Sequence, residues 1–101
     1  MEDNYYNNSL HNLCSAMLLL ETKNEMCSFL RDLCTPKELS AIAERWRVCK
    51  LLGHDNLSYR EISHITGASL TTISRVARFL KDEPYHGYLT LLNKLKKIKK
   101  E

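Results

Sequence analysis

The sequence predicts an all-α fold of six short helices, and three observations predict it. The 101-residue chain holds only three glycines and two prolines, which leaves little turn material for hairpins. Its apolar residues recur at spacings of three and four rather than alternating. A Ser or Thr followed three residues later by Glu occurs at Thr22/Glu25, Thr35/Glu38 and Ser58/Glu61. In that pattern the hydroxyl takes a free backbone N–H of the first turn and the carboxylate reaches back, so each pair marks a helix start.

The first helix runs from about Asn4 to Glu21 and lines Leu10, Leu13, Cys14, Met17, Leu18 and Leu20 along one face. Thr22 opens the second, whose stripe of Met26, Phe29, Leu30 and Leu33 ends near Cys34. Thr35, Pro36 and Glu38 open the third, because a proline at the first helical position gives up an N–H that has no partner there. Its apolar set is Leu39, Ile42, Ala43, Trp46, Cys49 and Leu52, and Gly53 is the expected stop. Ser58 starts a fourth helix of two turns holding Ile62 and Ile65, interrupted at Thr66, Gly67 and Ala68. Ser69 caps a fifth with Leu70, Ile73, Ala77 and Leu80 inward, closed by Asp82, Glu83 and Pro84. The sixth, from about Tyr85 to Lys97, presents Tyr88, Leu89, Leu92 and Leu95.

A chain of this length predicts one soluble domain over residues 1–101. Such a chain buries only about two-thirds of its unfolded surface, which disfavours a large enclosed active site. It has no glycine-rich phosphate loop, no usefully spaced pair of carboxylates and no nucleophile beside a base, so no enzyme is expected. No run approaches the roughly 18 apolar residues of a membrane span, and Glu2 and Asp3 are unlike a signal peptide's basic head. A cytoplasmic protein without membrane contact is expected. Cys14, Cys27, Cys34 and Cys49 lack metal-site spacing and read as reduced core residues, Cys27 and Cys34 sharing a helix face. His11, His54, His64 and His86 are scattered and read as structural or surface residues. Neither metal nor cofactor is expected, although a small-molecule effector stays open.

Charge is uneven. Residues 1–34 carry two basic and five acidic side chains, while the rest carries thirteen basic and seven acidic, so the formal +3 conceals a basic C-terminal two-thirds. An anionic partner or a solvated helix face fits that bias equally. The terminal run of Lys94, Lys96, Lys97, Lys99 and Lys100 reads either as a phosphate contact or as a frayed, soluble tail, the commoner case. Six short amphipathic helices also present more apolar surface than one thin layer covers, and a homodimer is the expected source of the missing burial.

The most informative segment is 58–80, where two capped helices flank a tight turn at Gly67 in the pattern of a helix-turn-helix. Small Ser63 and Ala68 sit where the helices approach, Ile62 and Ile65 hold the first, and Leu70, Ile73 and Val76 pack the second. Thr66 departs from the pattern, since an aliphatic residue is usual there. The second helix of such a unit enters the DNA major groove. Its outward residues are Thr71, Thr72 and Ser74, with Leu70 ahead of them and Arg75 and Arg78 further along; Ser and Thr hydroxyls suit several bases and Thr methyls suit thymine. Tyr59 and Arg60, with Ser63 beyond, begin the first helix, where N–H groups and a guanidinium suit a phosphate.

From Leu33 to about Leu95 the chain resembles the Trp repressor family, especially its uncharacterised Trp-repressor-like branch. The resemblance rests on Leu33-Cys34-Thr35-Pro36-x-Glu38, Arg45-x-Arg47, Ser58-x-Arg60-Glu61 and Gly67-Ala68-x-x-x-Thr72-Ile73-x-Arg75, in the family's order. It implies an intertwined all-α homodimer, dimerised through its N-terminal and C-terminal helices, whose two heads read a palindromic operator. It also implies an effector pocket: Arg45 matches the position that stacks on the indole of tryptophan, Arg75 the one that meets its carboxylate, and Thr35 a backbone contributor. Val76 stands where the family has glycine and Phe79 where it has serine. Both add apolar bulk, so L-tryptophan is not the expected corepressor, and Phe79 partly takes the place of the indole. The expected function is a sequence-specific DNA-binding transcriptional regulator, most simply a dimeric repressor on double-stranded DNA. The alternative is an interaction module that docks another regulator or a polymerase subunit.

Overall fold

The computed structural model describes residues 2–54 and 56–100; positions 1, 55 and 101 of the expected 1–101 domain lie outside the described residues. Six helices follow one another: α1 Glu2–Met17, α2 Lys23–Leu33, α3 Pro36–His54, α4 Tyr59–Thr66, α5 Leu70–Lys81 and α6 Gly87–Lys100. Among the described residues there is no strand, and no helix is long and apolar enough to cross a membrane. The backbone contacts divide the chain into two compact units, Met1–Leu39 and Ser40–Glu101.

In the first unit α1 stops at Met17, short of the expected Glu21. Its last carbonyls are taken up in tightened turns, with Leu19 N–H donating to Ala16 and Leu20 N–H to Met17, each at 3.1 Å. Thr22 caps α2 by accepting from Glu25 N–H at 3.0 Å, but the Glu25 carboxylate accepts from Glu21 N–H, one residue earlier than a reciprocal box requires. Cys34 leaves α2 in an extended conformation. Thr35 and Glu38 do exchange both bonds, at 2.8 and 3.1 Å, and open α3. The apolar stripes exist, yet no residue of α2 is buried, and Leu18 and Leu19 are 85% and 79% exposed. The cysteine expectation is corrected here: Cys14 and Cys27 are exposed and Cys34 is half-buried, because α1 and α2 build no buried core within this unit.

The second unit has a core. Val48 and Cys49 from α3, Ile62 from α4, Ala68 from the turn, Ile73, Val76 and Leu80 from α5 and Leu92 from α6 form one buried cluster. Trp46, Leu51, Leu52, Leu57 and Tyr88 pack around it. Only the later part of α3 contributes, so the expected stripe is corrected: Ile42 and Ala43 are exposed while Val48 is fully buried. Leu70 and Ile65, read as packing residues, are likewise exposed, whereas Val76 is inside. Cys49 alone keeps the cysteine reading, and burial pushes its thiol up to about 11.

Gly53 does not end α3, which continues to His54. It serves as a point of close approach instead. A Cβ there would stand 2.8 Å from Leu92 Cδ1, so the missing side chain is what lets α6 seat its one buried leucine. The helix α6 starts at Gly87, two residues later than expected, because His86 takes a left-handed φ of 58° before its carbonyl accepts from Thr90 N–H.

Candidate nucleic-acid interface

The helices α4 and α5 are joined by three residues, and side-chain hydroxyls set each end. Ser58 accepts from Glu61 N–H while the Glu61 carboxylate accepts from Ser58 N–H, both at 3.0 Å, a reciprocal capping box. The Ser58 backbone N–H foremost, and then the Ser58 hydroxyl, hold the Glu61 carboxyl below the usual carboxylate range, and Thr35 does the same for Glu38. At the other end Gly67 takes φ 78° and its N–H closes on the Ser63 carbonyl at 2.8 Å. An added Cβ at Gly67 would meet nothing within 4 Å, so glycine is required for its backbone angle and not for space.

Thr66, the residue that departs from the usual pattern, has a function in the turn. Its hydroxyl donates back to the Ile62 carbonyl at 2.7 Å and accepts from Ala68 N–H at 3.1 Å, the second bond giving a partner to a backbone group of the turn. The Ser63 hydroxyl donates to the Ala68 carbonyl at 2.7 Å and is half-buried. Ser63 therefore ties α4 to the turn. Arg47 reaches from α3 to the Ile65 carbonyl at 3.3 Å, placing a cation at the C-terminal end of α4 where it favours the helix dipole.

Ser69 starts α5, accepting from Thr72 N–H at 3.1 Å while its own hydroxyl donates to Thr72 Oγ1 at 3.1 Å. Thr72 is accordingly half-buried, though its hydroxyl hydrogen remains available. Leu70, Thr71, Ser74, Arg75 and Arg78 line one open groove of about 490 Å³ along the exposed side of α5. Tyr59 and Arg60 lie exposed in the first turn of α4. Arg60 and His64, one helical turn apart, share a second surface hollow with Glu61 and Ile65. Reasoning from sequence passed over His64, although its i, i+4 spacing from Arg60 was the available signal.

The residues expected to form an effector pocket fall in both units, Thr35 in the first and Arg45, Arg75, Val76 and Phe79 in the second. Thr35 is the exposed residue that starts α3 in the first unit, and the Arg45 Nε lies back on its own helix, 3.4 Å from the Ala41 carbonyl. Val76 points into the core at 1% exposure. Arg75 and Phe79 do meet, with the guanidinium carbon 4.3 Å from the ring centroid. They share a cleft of about 230 Å³ with Tyr85, His86, Gly87 and Tyr88. Tyr85 stacks on Phe79 with centroids 6.5 Å apart and planes 11° from parallel. That contact was missed, and its only sequence signal was two aromatic residues flanking Asp82-Glu83-Pro84. Among the described residues no cluster of His, Cys, Asp and Glu could hold a metal ion.

Comparison with known proteins places this geometry among relatives. The family profile described as Trp repressor protein matches residues 8–96. The uncharacterised protein YerC of Bacillus subtilis is 41% identical over 71 residues, covering 70% of this chain and 67% of YerC. The crystal structure of a TrpR-like protein from Eubacterium eligens superposes with a TM-score of 0.81 at 34% identity, covering 88% of this chain and 90% of that one. A candidate Trp repressor from Staphylococcus aureus gives a TM-score of 0.80 at 34% identity, covering 88% and 87%.

Proposed function

This chain belongs to the Trp repressor protein family, a family of DNA-binding regulators and not of enzymes, and from that premise we propose that it is a dimeric, sequence-specific repressor. In this reading each subunit inserts α5 into the major groove of a palindromic operator. The observation that carries it is the groove of hydroxyl and guanidinium groups along α5, beginning beside a Ser69 cap and left exposed by the core. Thr71, Thr72 and Ser74 face base edges, Leu70 and the Thr methyls meet thymine methyls, and Arg75 and Arg78 reach bases or phosphates. Tyr59 and Arg60 at the start of α4 hold the adjacent phosphate backbone.

Homodimerisation rests on the uncovered apolar faces of α1 and α2, together with Leu89, Leu91 and Ile98 of α6, which are 41%, 48% and 69% exposed. A twofold dimer spaces its two heads by about one turn of DNA, roughly 34 Å. The protein acts in the cytoplasm as a single domain and is not tryptophan-responsive. Phe79 lies under Arg75, where the family's effector would need room, and Val76 is committed to the core.

Selection from a random duplex pool tests the reading. Enrichment of a palindrome is the expected result, and absence of enrichment even at low salt overturns it. Arg60→Ala weakens all sequences alike, whereas Thr72→Ala changes preference at one operator position by about 1–3 kcal/mol. Calorimetric titration of the dimer with L-tryptophan is expected to show no saturable binding; a micromolar isotherm overturns that part.

A further inference from the structure

We propose that Phe79 is a positioning residue for DNA contact, its ring fixing the Arg75 and Arg78 guanidiniums at the edge of the α5 groove before DNA arrives. The inference rests on the DNA-binding reading above. The two arginines lie three residues apart on α5, both line the groove, and both guanidinium carbons sit over the same ring, at 4.3 and 5.2 Å from its centroid. The ring is itself held. Phe79 is half-buried, and Tyr85 stacks on it from the segment between α5 and α6. Arg78 has a further tether, the Glu83 carboxylate 3.9 Å from its Nε.

An exposed arginine samples many rotamers, and ordering one on a phosphate or base subtracts from affinity. A guanidinium already resting on an aromatic face has given up most of that freedom, while its N–H edge stays open for an anion. Phe79 therefore acts on affinity without touching DNA. The contacts in the complex are the same with or without it, so its loss lowers affinity and leaves the number of phosphates neutralised unchanged.

The experiment measures binding to a 30-bp mixed-sequence duplex across a salt series for the parent, Phe79→Leu, Phe79→Tyr, Arg75→Ala/Arg78→Ala and the triple variant. Thermal melting confirms that each is folded. NMR of the arginine Hε signals reports the ring contact without DNA. The expected result is ring-current-shifted signals in the parent and in Phe79→Tyr that are lost in Phe79→Leu. Phe79→Leu binds about fivefold more weakly at every salt concentration, with the slope of log K against log salt unchanged. The same substitution has no effect in the arginine-less background, where a merely structural role would persist. If the parent binds and Phe79→Leu binds equally well, or if it costs as much without the arginines, the positioning role is overturned and the DNA-binding reading stands. If the parent binds no duplex at all, the DNA-binding reading falls and the positioning role with it.

Discussion

The two compact units follow the same rules of helix initiation and reach opposite outcomes. Both start helices at a Thr or Ser with a glutamate three residues on, and both carry apolar residues at helical spacing. The unit Ser40–Glu101 turns those stripes on one another and buries Ile62, Ile73 and Val76 almost completely. The unit Met1–Leu39 leaves Leu10, Leu18, Leu19 and Leu33 between 43% and 85% exposed. Periodicity thus reports that a face wants burial and says nothing of whether the same chain provides it. One unit buries its apolar faces, and the other leaves them exposed.

The largest effect expected from that contrast is in the second unit. Ile73→Ala removes a fully buried side chain from the centre of the core and costs about 2–5 kcal/mol in chemical denaturation. A loss below about 1 kcal/mol would mean that the core is not the stable partner in the comparison. The first unit is broken by charge. Leu10→Glu in α1, at a position 43% exposed in the single chain, is expected to weaken the proposed self-association about 100-fold, seen by sedimentation as monomer at micromolar protein, because a carboxylate buried in an apolar interface has no partner. Unchanged sedimentation would remove the face of α1 from the proposed dimer contact.

Smaller effects sharpen the comparison within the head. Gly67→Ala costs about 1–2 kcal/mol through the left-handed backbone alone, since space is free, and Gly67→Asn costs less; equal losses would point to a packing cause. Thiol reactivity divides the units chemically. At pH 8 Cys14 and Cys27 of a monomeric variant react promptly with a thiol reagent, while Cys49, buried and with its thiol near 11, reacts only on unfolding. The smallest effect is electrostatic. The folded-state pKa of Glu61 is depressed, so its contribution is full above the ordinary carboxylate value and is lost as pH falls through the lowered one. The stability difference between parent and Glu61→Gln is therefore flat near neutrality and closes in acid, and a difference that grew in acid would reverse the assignment.

Much of the fold was legible because capping is local. The helix starts at Thr22, Pro36, Ser58 and Ser69 follow from residues within one turn of each, and the left-handed Gly67 follows from the turn it must make. Burial was less legible, since it depends on which elements meet. Val48 entered the core while Ile42, Ile65 and Leu70 did not, because of α3 only the later part joins the cluster and of α4 and α5 only one face each. The candidate interface was legible as a string of hydroxyl and cationic residues on α5. Their commitments to other groups were not legible: Ser63 turned to the Ala68 carbonyl, Thr72 met Ser69, and Phe79 lay beneath two arginines.

Gly53 carries a consequence for how this architecture tolerates change. The seat of Leu92 is defined by a hydrogen where any other residue has carbon, so the register of the last helix is stored as an omission. The five residues that lead from α5 to α6 set how far the chain travels before the leucine reaches that notch. One extra methyl at residue 53 would press on the tip of the Leu92 side chain, which would have to turn aside and give up part of its seat.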